Sequence, residues 1–412
     1  MASPRARGAL EALNFFMADM QAGIGPFLGV FLQQRGWATG AIGLVMTLGG
    51  VAGMAVTAPA GALVDATTRK RTYVIVSGLF TVLASSLIWV SQSFWVIATS
   101  QIATAIAGAA IGPAVAGITL GIARQKGFNR QNGRNQAFNH AGNMIGAGLS
   151  GFLGWKFGFV AIFWLAAAFG LLSVVSVMMI PAKAIDHRAA RGLEGHGGTD
   201  DRAKGWKVLL ECKPLLVLAA ALGLFHLGNG AMLPLFGMAV AGAHKGDPAI
   251  VVATTIAVAQ AVMIVAALVA MRLAESRGYW LVLLITFIAL PIRGLVAASA
   301  IHGWGVYPVQ ALDGIGAGLQ SVAVPGLVAR ILSGTGRVNV GQGAVMTVQG
   351  VGAALSPALG GAIAQMVGYR IAFVALGGFA LGSLLIWVTF RSLLAPACAK
   401  PEARRAAPAA AS

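Results

Sequence analysis

Long apolar runs, separated by short clusters of charge, glycine and proline, follow one another along the whole chain. A helix needs about 20 apolar residues to cross a bilayer. The runs predict twelve such spans, at 10–33, 40–64, 72–91, 94–123, 135–155, 158–181, 214–240, 249–271, 279–299, 306–329, 342–366 and 371–394. The one long polar insertion, 182–213, is charged and central, so it is expected to be a cytosolic linker. It separates an N-terminal six-helix bundle, 1–181, from a C-terminal one, 214–394, and a cytosolic tail expected to be disordered occupies 395–412. The fold class is therefore an all-α polytopic membrane protein with two pseudo-symmetric bundles.

Composition excludes the other classes. Of the 412 residues 58% are apolar and only 10% charged, whereas soluble proteins carry roughly 25% charge. A soluble domain could not hide that much apolar surface, and a disordered chain could not carry it. The net charge of +17 would suggest nucleic acid as a partner, but its distribution argues otherwise. With both termini inside, 24 of the 29 Lys and Arg residues fall on the cytosolic side and 4 on the other, with Arg293 remaining. This bias is the positive-inside pattern of an even number of spans, and nucleic acid is excluded as a partner. The basic stretch Met1 to Gly8 leads straight into an apolar run and shows no cleavage site, so it is read as the start of the first span. The two cysteines, Cys212 and Cys398, offer neither a disulfide framework nor a thiolate metal site, and neither cofactor nor metal is expected.

The two halves repeat. Gly146-Ala147-Gly148-Leu149-Ser150-Gly151-Phe152-Leu153-Gly154 matches Gly352-Ala353-Ala354-Leu355-Ser356-Pro357-Ala358-Leu359-Gly360 at six of nine positions, at an offset of 206. Pro26 and Gly29 match Pro234 and Gly237, and Gly108-Ala109 matches Gly316-Ala317, both at 208. Asp65 matches Glu275 at 210. Several ordered matches at nearly one offset point to two parallel six-span repeats, a mark of one transporter architecture.

Between spans 2 and 3 stands Gly61-Ala62-Leu63-Val64-Asp65-Ala66-Thr67-Thr68-Arg69-Lys70-Arg71. It resembles the loop signature of the major facilitator superfamily, G-x-L-[AV]-D-[RK]-x-G-[RK]-[RK]. Gly61, Leu63, Val64, Asp65, Arg69 and Lys70 fit; Ala66 and Thr68 depart. A weaker copy, Leu273 to Gly278 with Glu275, lies between spans 8 and 9, where that family has its second copy. The span-4 arginine of many proton-coupled members, in R-x-x-Q-G-x-G, is absent from the stretch beginning at Gln101. The antiporter signature G-x-x-x-G-P-x-x-G-G is present in part as Gly146, Ser150, Gly151 and Gly154, and more closely in span 11 as Gly352, Ser356, Pro357, Gly360 and Gly361. The resemblance implies a twelve-span transporter of the drug and metabolite efflux type, with Gly61, Asp65, Arg69, Lys70, Arg71 and Glu275 as gating loops. Asp65 is expected to cap the positive end of span 11; the plainer alternative is a charged loop that only sets topology.

Polar groups at bilayer depth are costly, and they line a cavity or meet a partner. Asn135, Gln136, Asn139, His140 and Asn143 share one face of span 5 and are read as cavity lining, with interhelical hydrogen bonding as the alternative. Span 7 carries His226 and Asn229 shortly before Pro234, where the helix is expected to break. Gln21 in span 1 stands 208 residues before Asn229, and Gln101, Gln310, Gln320 and Gln349 add amides from spans 4, 10 and 11. Arg293 and Asp313 lie at matching depth in the antiparallel spans 9 and 10 and are expected to form an intramembrane ion pair. Asp19 lies near mid-bilayer in span 1 with no basic neighbour in sequence, which makes it the first candidate for proton coupling, with His140 and His226 next.

No GxxxxGK[ST] loop or HExxH motif appears, which argues against an ATP-driven pump and a membrane hydrolase. The chain is read as a non-enzymatic secondary transporter, a monomer in the bacterial inner membrane, that exports a small metabolite or drug in exchange for protons. The alternatives are a proton- or ion-coupled importer of the same fold and a non-transporting membrane receptor.

Overall fold

The computed structural model describes residues 4–22, 24–187, 189–191, 212–243, 247–332 and 338–399. These form helices and short 3₁₀ turns. The chain divides into two compact units, Met1–Thr199 with Gly246–Ala257, and Asp200–Lys245 with Val258–Ser412.

In the first unit the helices are α1 (Pro4–Ala22), α2 (Ile24–Gln33), α3 (Thr39–Ala66), α4 (Lys70–Val90), α5 (Phe94–Ala109), α6 (Ile111–Phe157) and α7 (Phe159–Met178). The second half of the chain continues with α8 (Lys213–Asn229), α9 (Met232–Gly242), α10 (Pro248–Arg277), α11 (Tyr279–Ser299), α12 (Val306–Ile331), α13 (Val338–Val367), α14 (Tyr369–Thr389) and α15 (Arg391–Cys398). Among the described residues, ten helical stretches are long and apolar enough to cross a membrane. The two predicted spans outside that set have visible reasons. In span 1, α1 carries Arg5, Arg7, Glu11 and Asp19, and α2 is only 10 residues long. Span 5 opens on its run of amides.

Spans 4 and 5 are joined without a loop. The basic connection between them is helical, and the direction changes at Arg124, whose φ of 54° is rare for any residue but glycine. Arg124 pairs with Asp186 at 3.0 Å. The linker does not leave the first unit at once. Ile185, Ala189 and Ala190 are buried, and the Asp186 N–H donates to the Gly121 carbonyl at 3.0 Å. A side chain at Gly121 would strike Ile185, so this glycine is what lets the strap lie flat on α6.

The halves share their turns. Gly158, before α7, and Gly368, before α14, have φ of 78° and 90°. Only glycine accepts such a backbone readily, and the two positions are 210 residues apart, as Asp65 and Glu275 are. Between α10 and α11, Gly278 has φ of 81°, whereas Thr68 occupies the matching position after α3.

The tail expected to be disordered from 395 is ordered at its start. Residues 395–398 belong to α15, which buries Leu394, Ala397 and Cys398. Burial pushes the Cys398 thiol up to about 12, against a smaller opposing effect of Arg330. At about pH 8 only about one such thiol in ten thousand is the reactive thiolate. In the purified protein a maleimide should therefore modify the half-buried Cys212 and spare Cys398. The Cys398 rate should climb about tenfold per pH unit above that point. Equal labelling of the two peptides by mass spectrometry would refute the buried placement of α15.

Candidate functional site

A polar cluster around a buried ion pair lies inside the apolar helices of the second unit. It begins at the end of α8, where the helix stops at Asn229 and restarts at Met232. The break precedes Pro234 by several residues. Gly230 sits against Ala353 of α13, whose carbonyl would be 2.8 Å from a Cβ placed there. The freed Ala231 N–H donates to Ser356 Oγ at 2.8 Å. Gly352 lies against the Gly223 carbonyl, and Gly360 against Ala231 and Leu235. The small residues of the span-11 signature thus let α13 approach α8 closely and satisfy the broken backbone.

This packing holds His226 and Asn229 at the site. Arg293, from the middle of α11, is 1% exposed and enters from behind. Its Nη1 donates to Asp313 Oδ1 at 2.7 Å and to Asn229 Oδ1 at 2.5 Å, and its Nη2 to Gln310 Oε1 at 3.1 Å. Asp313 retains 17% of its side-chain exposure. The carboxylate thus stands at the edge of the cluster and the guanidinium in its interior. Arg293 Nε and Gln310 Nε2 are buried with no protein partner among the described residues. With Asn229 Oδ1 taken by the arginine, its Nδ2 donors face the rest of the site.

One turn back on α8, His226 Nε2 lies 3.2 Å from Gln349 Nε2. A side-chain amide can meet either tautomer of the ring, through its N–H₂ or through its oxygen. Gln320 of α12 is buried, and its Nε2 has no hydrogen-bond partner among the described residues. The Gln349 amide of α13 helps set the ring's orientation.

The amides read as one set in the sequence separate here by partner. Gln310 is fully buried against Arg293, so it positions the guanidinium and does not line a cavity. In the first unit, Gln101 lines a cavity of about 430 Å³ with Met46, Gly49, Gly53 and Thr104. The span-5 stripe divides. Asn135 is buried, donates to Thr119 Oγ1 at 3.0 Å and accepts from Gln131 at 3.0 Å. Asn139 donates to the Asn14 carbonyl on α1 at 3.3 Å, and Asn143 to Asn139 at 3.3 Å. His140 is half-buried and Gln136 exposed.

A residue not singled out in the sequence organises this end: Glu11, buried on α1, pairs with Arg134 at 2.8 Å and accepts from Gln131 at 3.4 Å. The available signal was the spacing of Glu11 and Asn14, which puts both on one face of α1.

In the loop signature, Lys70 is buried and its Nζ donates to the Val64 carbonyl at 2.6 Å. Arg71 donates to the Val177 and Met178 carbonyls at 3.3 and 2.9 Å. Both cations close helix C-terminal ends, of α3 and α7, where a positive charge is favoured. Gly61 meets only Pro113, in ordinary contact, and Arg69 and Glu275 are exposed. The side chains of Asp19, Gln21 and Asp65 lie outside the described residues.

The model for the Major Facilitator Superfamily matches residues 10–339. Two Mycobacterium tuberculosis proteins, from strains CDC 1551 / Oshkosh and ATCC 25618 / H37Rv and both described as uncharacterized MFS-type transporters, are similar to this chain. Each is 37% identical over 387 residues, covering 93% of this chain and 93% of its own. Among solved structures, a mutant of the nucleoside transporter NupG has a TM-score of 0.81 at 12% identity, over 93% of this chain and 99% of that one. A bacterial homolog of the human lysosomal transporter Spinster, inward-facing and unoccupied, has a TM-score of 0.73 at 14% identity, over 97% and 100%. A POT family transporter in complex with a thioalcohol conjugated peptide has a TM-score of 0.73 at 12% identity, over 95% and 97%. At such identities the structural likeness speaks to fold alone. The matched family model and the relatives at 37% identity carry the assignment: this chain belongs to the major facilitator superfamily and is a non-enzymatic integral membrane transporter of small molecules.

Proposed function

We propose that this transporter couples the export of a small polar or amphipathic molecule to protons, by alternating access. The observation that carries the reading is the Arg293–Asp313 pair at 2.7 Å within the helical interior, beside His226, whose ring is held by the Gln349 amide. Ionisable groups at that depth are costly to bury and are found along substrate and ion pathways and proton relays. A proton arriving at Asp313 would remove the charge that holds Nη1 of Arg293. A proton gained by the His226 ring would change what it offers Gln349. Either event rearranges the donors that face a substrate, so proton occupancy and substrate binding are linked through the same side chains. Asp19 in span 1, with no basic neighbour in sequence, supplies a second carboxyl able to carry a proton.

The direction rests on the span-11 signature of exporters; a symporter of the same fold is the second reading. Substrate class rests on the inventory: Asn229, Gln320, Gln349 and Gln101 are neutral amides, and the one arginine is already neutralised by Asp313. This favours an uncharged or weakly charged solute over a polyanion. The charge bias supports termini and linker on the cytosolic side, and the reading is of a monomer in a bacterial inner membrane.

Screening a deletion strain against a panel of toxic amphipathic compounds would identify a substrate, and proteoliposomes would then test coupling. Asp19→Asn and Asp313→Asn keep size but cannot titrate. Whichever carboxyl couples should, as the amide, retain substrate exchange and lose accumulation driven by an imposed pH gradient. If both variants still drive uphill transport, neither carboxyl carries the coupling proton, and His226 and His140 become the groups to test.

A further inference from the structure

A second built feature lies at the basic end of the second unit, away from the polar cluster. A cavity of about 330 Å³ is lined by Arg277 at the end of α10, Trp280 and Leu281 at the start of α11, and Arg391, Ala395 and Cys398 of α15. We infer that this cavity holds the phosphate headgroup of an anionic phospholipid from the cytosolic leaflet.

Its walls are held in place. A side chain at Gly278 would run into the Cys398 carbonyl, so α15 lies directly on the turn between α10 and α11. Arg330 stacks on Tyr279 at 4.1 Å and donates to the Ala399 carbonyl at 2.7 Å, which secures the end of α15. The fully buried Trp387 donates its indole N–H to the Trp280 carbonyl at 3.1 Å. Arg391 then lies over the Trp280 ring, 4.6 Å from its centroid. A guanidinium stacked this way keeps its in-plane N–H edges for an acceptor, and that fork matches two phosphate oxygens.

Among the described residues this charge is uncompensated. Arg277 and Arg391 are exposed, and among the described residues neither lies within ion-pair distance of a carboxylate. Both sit at helix ends next to a tryptophan, the level at which interfacial aromatics and headgroups meet. Below them Leu281 and Ala395 offer apolar contact for the first carbons of an acyl chain. Basic residues at this level attract anionic lipid; the open groove between α10, α11 and α15, with both guanidinium groups on its wall and Trp280 between them, is what makes this one a site.

The test uses the full chain in detergent, with native mass spectrometry after titration of phosphatidylglycerol or phosphatidylcholine of matched acyl chains. Phosphatidylglycerol should be retained selectively. Arg277→Gln with Arg391→Gln should lower its binding roughly tenfold, while Arg272→Gln with Lys213→Gln, exposed cations outside the cavity, should stay within about twofold. Ala395→Phe, which fills the cavity without changing charge, should displace the lipid as effectively. It covers the case in which the double arginine variant does not fold. Equal loss in the Arg272/Lys213 control, or full retention in the Ala395 variant, would reduce the feature to general surface charge and overturn the proposal. A further arm titrates inorganic phosphate and glycerol phosphate. If either binds in the same arginine-dependent way and displaces phosphatidylglycerol at equal concentration, the site takes a soluble phosphate, and the lipid assignment fails.

Discussion

Arg293→Met, with Asp313 left in place, should sharply reduce the yield of folded transporter and lower its unfolding temperature. The guanidinium is 1% exposed and serves three acceptors at once: Asp313, Asn229 and Gln310. Its removal strands a carboxylate among helices with no other cation in reach among the described residues. Breaking a buried pair from one side costs on the order of 3–5 kcal/mol, because the surviving charge stays desolvated. Asp313→Leu should cost less than Arg293→Met would if the arginine could relax toward solvent. It cannot, because Arg293 is the buried member, so the two single variants should be similarly poor. The double variant Arg293→Met/Asp313→Leu leaves only neutral amides behind and should recover much of the folded yield, measured by monodispersity and thermal unfolding. If the double variant is no better than the worse single one, the pair is not what holds these residues in the helices. The recovered protein separates stability from function: it should fold and lack pH-driven transport, if the pair takes part in coupling.

Gly142→Leu should be the most damaging change in the first unit, and Gly142→Ala should already be harmful. A Cβ at this position on α6 would overlap the backbone carbonyl of Phe15 on α1, which no rotamer change can move aside. The helices must separate. The bonds that depend on their closeness go with them: Asn139 to the Asn14 carbonyl at 3.3 Å, Gln131 to Glu11 at 3.4 Å and the Arg134–Glu11 pair at 2.8 Å. Overpacking and several weakened polar contacts together should cost about 3 kcal/mol or more. Gly133→Ala and Gly148→Ala, on the same helix, point into open space and should leave stability within measurement error. A Gly142→Leu protein as stable as these controls would show that α1 and α6 are not locked here. The span-5 amides would then return to the role of cavity lining.

The polar stripe shows where reading the sequence stops. Asn135, Gln136, Asn139, His140 and Asn143 lie on one face of a helix by period alone, and the structure puts them on that helix. Period says nothing about what stands opposite. Thr119, across the kink at Arg124 in the same α6, takes Asn135, and the Asn14 carbonyl on α1 takes Asn139, while Gln136, one residue along, is exposed. Arg293 and Asp313 could be matched in the sequence because depth along antiparallel neighbours is simple arithmetic. That Asn229 and Gln310 complete the same cluster could not be, since it depends on how α8 and α12 cross α11. Glu11 was passed over because it stands near the membrane edge, where a charge is unremarkable until Arg134 is seen beside it.

That this chain is a helical membrane transporter is legible in the sequence alone. Apolar length, charge placement and the small-residue and loop signatures are properties of short segments, and the bilayer imposes them wherever a segment crosses. Which intramembrane amides hold helices together and which surround a titratable group follows from tertiary contacts. So do the close crossing with α8 that the span-11 signature serves, and the packing of the last helix on the turn between α10 and α11, which brings two exposed arginines to one groove. Those outcomes depend on contacts between segments far apart in the chain. In a medium where apolar faces are all alike, close packing and unsatisfied polar groups select among them.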